Sequence, residues 1–366
     1  AAAMRVCDAL LPRLAGAYDV GLASAADVIT VFAVAYGACQ VVFGPLGDRY
    51  GKLRVITGAC LAASVANLAC AFAPGFPSLL AARVLAGAAC ACIIPLSMAW
   101  IGDTTPYESR QGVLARYLLG QIFGMTSGSV AGGFAAESGW WQWPFVAVAV
   151  AFLVVAWLLG RAARDDRGSR RDGGHLFADI GKVLAVPWAR VVILTVFAEG
   201  AAMAGGLAFV ASHLHLERGT SLALAGVVFT GYGLGGVAFA LLAGRAARRL
   251  GEVRLATLGT AAISLSIAIV AFVPSLAAAG FGCFGAGLGF YMLHNTLQTN
   301  ATQMAPERRG AAVALFASLF FIGQSIGVAL TAQLVERAGT SWAIAASAAA
   351  IVPVGLAFAI LRARRG

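Results

Sequence analysis

The chain has 366 residues, of which 60% are hydrophobic and 11% charged, and its mean hydropathy is +0.84. A soluble domain carries about a quarter of its residues as charges, so this composition excludes a globular protein that covers itself with polar surface in water. The net charge of +10 does not indicate nucleic acid, because the basic residues are distributed between apolar stretches rather than gathered into one patch.

Runs of roughly 18 to 20 apolar residues, the length that crosses a bilayer as a helix, number about twelve. Examples are 55–73, 141–160, 221–243 and 341–361. They predict an all-α membrane protein. The first span begins at residue 1 without room for a complete helix, so that helix reads as truncated at its N-terminus. Spans continue to the C-terminus, which excludes a soluble mature domain behind a cleaved signal peptide.

Within the first span, Arg5 and Asp8 share a face at i, i+3 spacing. Asp8 lies about 13 Å from the outer end of the span, near the middle of a hydrocarbon layer of about 30 Å. An ion pair with Arg5 would offset part of that cost. The second span holds Tyr36 and Gln40 and leads into GPLGDRYGKLR at 44–54; the third holds Asn67. The fourth holds Arg83 and Gly87. At about 8 Å below the outer surface, the Arg83 guanidinium either faces a partner or an aqueous cavity or snorkels to the interface. Asp103, Pro106 and Arg110 follow this span. The fifth carries Gln121 and a stripe of Gly120, Gly124, Gly128 and Gly132, whose i+4 spacing lets another backbone approach closely.

The most polar segment, 161–187, reads as a cytoplasmic linker between an N-terminal half, 1–160, and a C-terminal half, 188–366. In the seventh span Glu199 reaches about 16 Å depth with no basic residue at helical spacing. Burial without a cation favours the protonated form, so Asp8 and Glu199 are the two candidate proton carriers, with structural ion pairing as the alternative. His294 is expected near the inner face, as a cavity wall, an interface residue or a proton relay. Asn295 and Gln324, with Tyr36, Gln40, Asn67 and Gln121, suggest a moderately polar, aromatic cavity.

Other patterns carry less. His213, His215 and Glu217 lack a fourth zinc ligand. Gly280, Gly282 and Gly285 spell GxGxxG inside an apolar span with no preceding strand. The seven cysteines fall in apolar runs without a CxxC pair and read as small hydrophobes. Neither a cofactor, a metal nor an enzymatic activity is expected.

Basic residues concentrate in alternate connections and the tail: Arg49, Lys52 and Arg54; Arg110; Arg161 to Lys182; Arg245 to Arg254; Arg308 and Arg309; Arg362 to Arg365. The opposite connections keep Arg13, Arg218 and Arg337. The positive-inside rule then places the even-numbered connections and both termini in the cytoplasm. Gly44, Arg49, Gly51 and Arg54 recur 200 residues later as Gly244, Arg249, Gly251 and Arg254, and Arg110 with Gly112 is echoed by Arg308 with Gly310. Halves of six spans each would be parallel repeats about an axis along the membrane normal, with the substrate path between them.

At GPLGDRYGK the chain resembles the signature loop GxxxDRxGRR of the major facilitator superfamily through Gly44, Asp48, Arg49, Gly51 and Lys52. Leu53 replaces the second basic residue and Arg54 follows it. The resemblance implies a gating loop in which Asp48 pairs with charges that separate when the inner side opens, together with Asp103 and Arg110. Arg83 with Gly87 resembles the family's fourth-helix arginine motif, associated with proton coupling. GSVAGG at 128–133 resembles the antiporter motif GPxxGG, with Ser129 in place of proline, and Asp8 resembles the first-helix aspartate of drug:proton antiporters. The family implies alternating access in a bacterial inner membrane by a monomer whose partners are protons, lipid and a small-molecule substrate. The activity implied is proton-coupled efflux of a drug-like or metabolite substrate. The alternatives are a proton symporter or facilitator for a sugar or organic acid, with Arg5 or Arg83 holding the anion, and a receptor that binds without transport.

Overall fold

The computed structural model describes residues 1–163 and 176–365. Most of the polar linker, including Arg164, Arg167, Arg170 and Arg171, and the side chain of Arg110 lie outside the described residues. The helices are α1 Ala2–Arg5, α2 Leu11–Tyr18, α3 Leu22–Ala25, α4 Asp27–Tyr50, α5 Lys52–Ala71, α6 Phe76–Cys90, α7 Ile93–Thr104, α8 Tyr107–Glu137 and α9 Trp143–Ala162. They continue as α10 Leu176–Ala185, α11 Pro187–Ala208, α12 Val210–Leu216, α13 Leu222–Phe272, α14 Leu276–Gln303 and α15 Arg309–Ala363. There is no strand among the described residues, as expected where every backbone polar group must be satisfied within its own segment.

Among the described residues, eight helical stretches are long and apolar enough to cross a membrane: Leu22–Phe43, Lys52–Ala71, Phe76–Thr104, Trp143–Ala162, Pro187–Leu216, Leu222–Phe272, Leu276–Gln303 and Pro306–Ala363. The two longest are each broken at a glycine. At 51 residues, α13 would be roughly 77 Å long at 1.5 Å per residue, more than twice the hydrocarbon thickness. Gly251, at φ 70° and ψ 172°, breaks it, and Gly339, at φ 82° and ψ 169°, breaks α15. Gly51 separates α4 from α5 with φ 93°. Gly51 and Gly251, paired in sequence by the 200-residue repeat, thus share a left-handed φ that favours glycine.

The first span is not only short but broken. Pro12 has no N–H to give the carbonyl of Asp8, and residues 6–10 run as turns, with the Asp8 N–H donating to Arg5 O at 3.2 Å and the Leu10 N–H to Cys7 O at 3.0 Å. The interruption falls at the buried carboxylate.

Long helices cross at points where side chains are missing. The backbone of α8 meets α1 at Gly128, where a Cβ would lie 2.6 Å from Ala2 O, and at Gly132 against Val6 O. Gly120, at the end of the predicted stripe, faces open space. One face further round, Gly133 abuts Leu222 O, a Cβ on Gly226 would lie 2.7 Å from Ser129 O, and Glu137 Oε1 accepts from the Ala223 N–H at 3.1 Å. Ser129, standing where the resembled motif has proline, is therefore buried at the α8–α13 crossing. A second crossing joins α4 to α15, where Ser318 Oγ donates to Gly37 O at 2.6 Å. Large apolar side chains such as Leu241 (77% exposed) and Phe281 (78%) point outward, which is favourable only against an apolar solvent.

Candidate substrate and proton site

A cavity of about 500 Å³ lies between α1, α7, α8, α13, α14 and α15. Its polar and aromatic wall is formed by Arg5, Tyr117, Gln121, Tyr232, Phe290, Tyr291, His294, Gln298, Phe320, Phe321 and Gln324. Ile94 and Met98 of α7, Leu114 and Tyr117 of α8 and Gln298 of α14 carry the lining toward the face of the basic connections. Toward the other face, α8 and α13 approach backbone to backbone at Gly133 and Gly226.

Arg5 and Asp8 form the predicted ion pair, with Nη1 to Oδ2 at 2.8 Å. Arg5 lies on the cavity wall and over the Phe229 ring at 5.5 Å. Asp8 lies behind it, 3% exposed, and its Oδ1 has no hydrogen-bond partner. A void of about 20 Å³ touches Asp8, Arg5, Ala204, Ala208 and Gln324. An unsatisfied carboxylate oxygen away from water is costly.

Glu199 requires a correction. The sequence reading left it without a cation, but its Oε2 lies 2.8 Å from His294 Nδ1. Glu199 is fully buried, Oε1 has no hydrogen-bond partner, and the exposed edge of the pair belongs to His294, whose side chain is 17% exposed. His294 was placed near the inner face; the structure sets it beside Glu199 at the cavity wall. Rings of Phe290, Phe320 and Phe316 surround it, with centroids 4.8, 4.7 and 5.4 Å away.

Arg83 does not snorkel and does not line the cavity. It is fully buried, donates from Nε to Val28 O at 3.0 Å and from Nη1 to Ala3 O at 2.8 Å, and stacks over Phe32 at 4.2 Å. The Ala3 carbonyl is in the last turn of the short α1, where carbonyls lack intrahelical partners, and Val28 O on α4 takes the guanidinium as a further donor; both are nearer partners than a distant interface.

Of the expected cavity residues, Gln121 and Gln324 line it. Tyr36 is buried behind Phe321, ring centroids 4.3 Å apart, and Gln40 is buried with Oε1 unpartnered; neither is on the wall. Asn67 is buried and donates to Ala63 O at 2.7 Å within its own helix. Asn295 is exposed and off the wall, which Gln298 joins instead. On α14 the wall face is Tyr291, His294 and Gln298, at i, i+3 and i+7 spacing, so a residue one position after His294 is turned about 100° away. Tyr291 and Gln298 of that stripe, with Tyr232 and Tyr117, are what the sequence reading missed beside His294; polar residues at helical period on an apolar helix would have revealed them.

In the loop at 44–54, Lys52 Nζ lies 3.2 Å from Asp48 Oδ1 and 2.7 Å from Asp103 Oδ2, tying α4, α5 and α7 together. Arg54 Nε donates to Ala163 O at 3.2 Å, and Arg49 lies over Tyr50. In the repeated loop, Glu252 Oε2 accepts from Arg362 Nε at 2.7 Å and from Asn300 Nδ2 at 2.9 Å, and Arg308 pairs with Asp179 of α10 at 2.9 Å. Away from the cavity, His213 contacts Thr340 Oγ1 and Val270 O, and His215 contacts Thr220 O. These are separate hydrogen bonds, not a shared ligand set.

Comparison with known proteins places this geometry. The model of the Major Facilitator Superfamily matches residues 2–327 and 192–366. The uncharacterized MFS-type transporter YwfA of Bacillus subtilis is 24% identical over 367 residues, covering 97% of this chain and 87% of that protein. The multidrug export protein EmrB of Haemophilus influenzae is 25% identical over 155 residues, 42% of this chain and 30% of its own length. The fold is similar to the crystal structure of nucleoside transporter NupG, with a TM-score of 0.78 at 12% identity over 99% of this chain and 97% of that one. The chain belongs to the Major Facilitator Superfamily, as a multi-pass integral membrane protein built for transport of small molecules rather than for enzymatic chemistry.

Proposed function

We propose that this protein is a proton-coupled secondary transporter that moves a small amphiphilic substrate by alternating access, with export as the net direction. One observation carries the reading. A cavity lined from both ends of the chain has two carboxylates buried behind its walls, each held by a side chain that faces the cavity: Asp8 by the Arg5 guanidinium, Glu199 by the His294 imidazole. Ionisable groups at membrane depth are expensive and mark pathways for ions and substrates. Two carboxylates, each with one unsatisfied oxygen, are suited to gain and lose protons as access alternates. The similarity to EmrB, a multidrug export protein, supports the direction.

In this reading the chain makes twelve crossings, with α13 and α15 each counted twice at Gly251 and Gly339 and with α1–α2 and α8 included. The units 1–160 and 188–366 rock about the cavity as a monomer, joined by the linker 161–187, with the basic connections and both termini on the cytoplasmic side of a bacterial inner membrane. The Asp48–Lys52–Asp103 cluster holds the first unit's gating loop, and Arg110 belongs to the same loop system. Arg83 supports proton coupling only indirectly, by fixing α1, which carries Arg5 and Asp8.

A second reading, proton symport of an organic acid, is favoured by one feature: Arg5 and His294 line the wall while the carboxylates sit behind them. Efflux from cells loaded with a panel of fluorescent amphiphiles, with and without a protonophore, separates the two. Protonophore-sensitive efflux above vector controls supports export, whereas proton-stimulated uptake of radiolabelled organic acids without such efflux supports symport.

A further inference from the structure

The two carboxylates differ in how a proton can reach them. Asp8 borders a small void, but Glu199 is fully enclosed, and its Oε2 contacts only His294 among the described hydrogen bonds. His294 in turn is on the cavity wall. Its Nδ1 is committed to Glu199, while no hydrogen bond is made by its Nε2 among the described residues. The ring is stacked on Phe290 at an interplanar angle of 21° and flanked by Phe316 and Phe320, so its orientation is fixed by packing on several sides. Apolar rings also keep water from bypassing the imidazole.

We propose that His294 is the proton relay between the cavity and Glu199, resting on the reading of Glu199 as a proton carrier. With Glu199 ionised, Nδ1–H donates to Oε2 and Nε2 is bare. A proton arriving from cavity water attaches to Nε2, and the Nδ1 proton passes to Oε2. One proton has entered and one has moved on, leaving a neutral carboxyl whose O–H donates to Nδ1 and a neutral ring that carries its proton on Nε2. Release reverses both steps. The ring does not flip, and the same residue serves both directions because alternating access, not the relay, selects the face that the cavity meets. The charged and titratable side chains sharing the wall are Arg5, Tyr232, Tyr291 and Tyr117. Arg5 is paired with Asp8, which leaves His294 as the group in line with Glu199.

The test needs no substrate. Full-length protein labelled with ¹⁵N-histidine is reconstituted in nanodiscs, and the His294 signals, identified by their loss in His294→Gln, are followed as pH is varied; infrared difference spectra report the Glu199 carboxyl through its loss in Glu199→Gln. The relay predicts that the neutral imidazole changes from the Nδ1–H to the Nε2–H tautomer in step with protonation of Glu199, and that Glu199→Gln holds one tautomer throughout. A single tautomer across the transition in the wild type overturns it. In proteoliposomes, His294→Ala should lose proton flux and regain it with added imidazole. Proton flux undiminished in His294→Ala, with Glu199→Gln inactive, overturns the relay while leaving Glu199 as a carrier. Undiminished flux in Glu199→Gln removes the carrier itself.

Discussion

Alanine at Gly226 places a methyl 2.7 Å from Ser129 O, closer than such atoms approach, and alanine at Gly133 collides with Leu222 O. Neither obstacle is a flexible side-chain tip; both are backbone carbonyls of the opposing helix, so α8 and α13 must separate by several tenths of an ångström or more. Overpacking of this kind costs about 1 to 3 kcal/mol per site, and 1.4 kcal/mol is a tenfold change in an equilibrium constant. The cost falls on the arrangement that closes the cavity at this crossing and is relieved when the helices part. Gly226→Ala should therefore shift the balance toward the alternative arrangement by roughly 5- to 150-fold. Spin labels at Ser138 and Ser221, which flank the crossing, report it by double electron–electron resonance in a cysteine-free background. The expected result is a longer, broadened distance in Gly226→Ala and Gly133→Ala and no change in Gly120→Ala, whose position is open. An unchanged distance in folded Gly226→Ala protein would refute the argument that this contact is what closes that side.

Three further outcomes follow from the geometry. Arg83→Met should lower the thermal midpoint in detergent, because it removes the hydrogen bonds to Val28 O and Ala3 O and strands the Ala3 carbonyl at about 1 to 3 kcal/mol; an unchanged midpoint would contradict the strap role. Gln298→Ala should weaken substrate affinity roughly 2- to 12-fold, the worth of one net hydrogen bond, while Asn295→Ala, off the wall, should leave it unchanged in the same binding assay. Lys52→Met should alter stability by less than about 1 kcal/mol, since its partners Asp48 and Asp103 are largely exposed; a larger loss in a denaturation series would show that the loop is a structural anchor.

How much of this was legible in the sequence differs by residue. The bilayer penalises charge so strongly that Asp8 and Glu199 stood out by depth alone, and Arg5 could be paired with Asp8 because the two are only three residues apart. The partner of Glu199 was not legible, because His294 is 95 residues away and nothing in local spacing reports which faces of α11 and α14 meet. The same missing rotation misassigned Asn295 in place of Gln298. Arg83 was legible as a buried cation but not as a backbone strap, since its acceptors on α4 and α1 lie 55 and 80 residues away in the sequence. The repeated loop was read correctly as a repeat of residues, and the structure adds its reason at Gly51 and Gly251, which share a backbone conformation that other residues resist. Pro12 was the overlooked signal that breaks the first span beside Asp8.

The most direct measurement of proton coupling uses proteoliposomes with an internal pH dye and a substrate gradient, comparing wild type with Asp8→Asn and Glu199→Gln. Both replacements keep a polar group of the same shape and remove titration. The account predicts substrate-driven proton movement in the wild type and a loss of about tenfold or more in each variant, corresponding to at least about 1.4 kcal/mol of lost coupling, with substrate binding little changed. Proton movement that persists at the wild-type rate in both variants would contradict it.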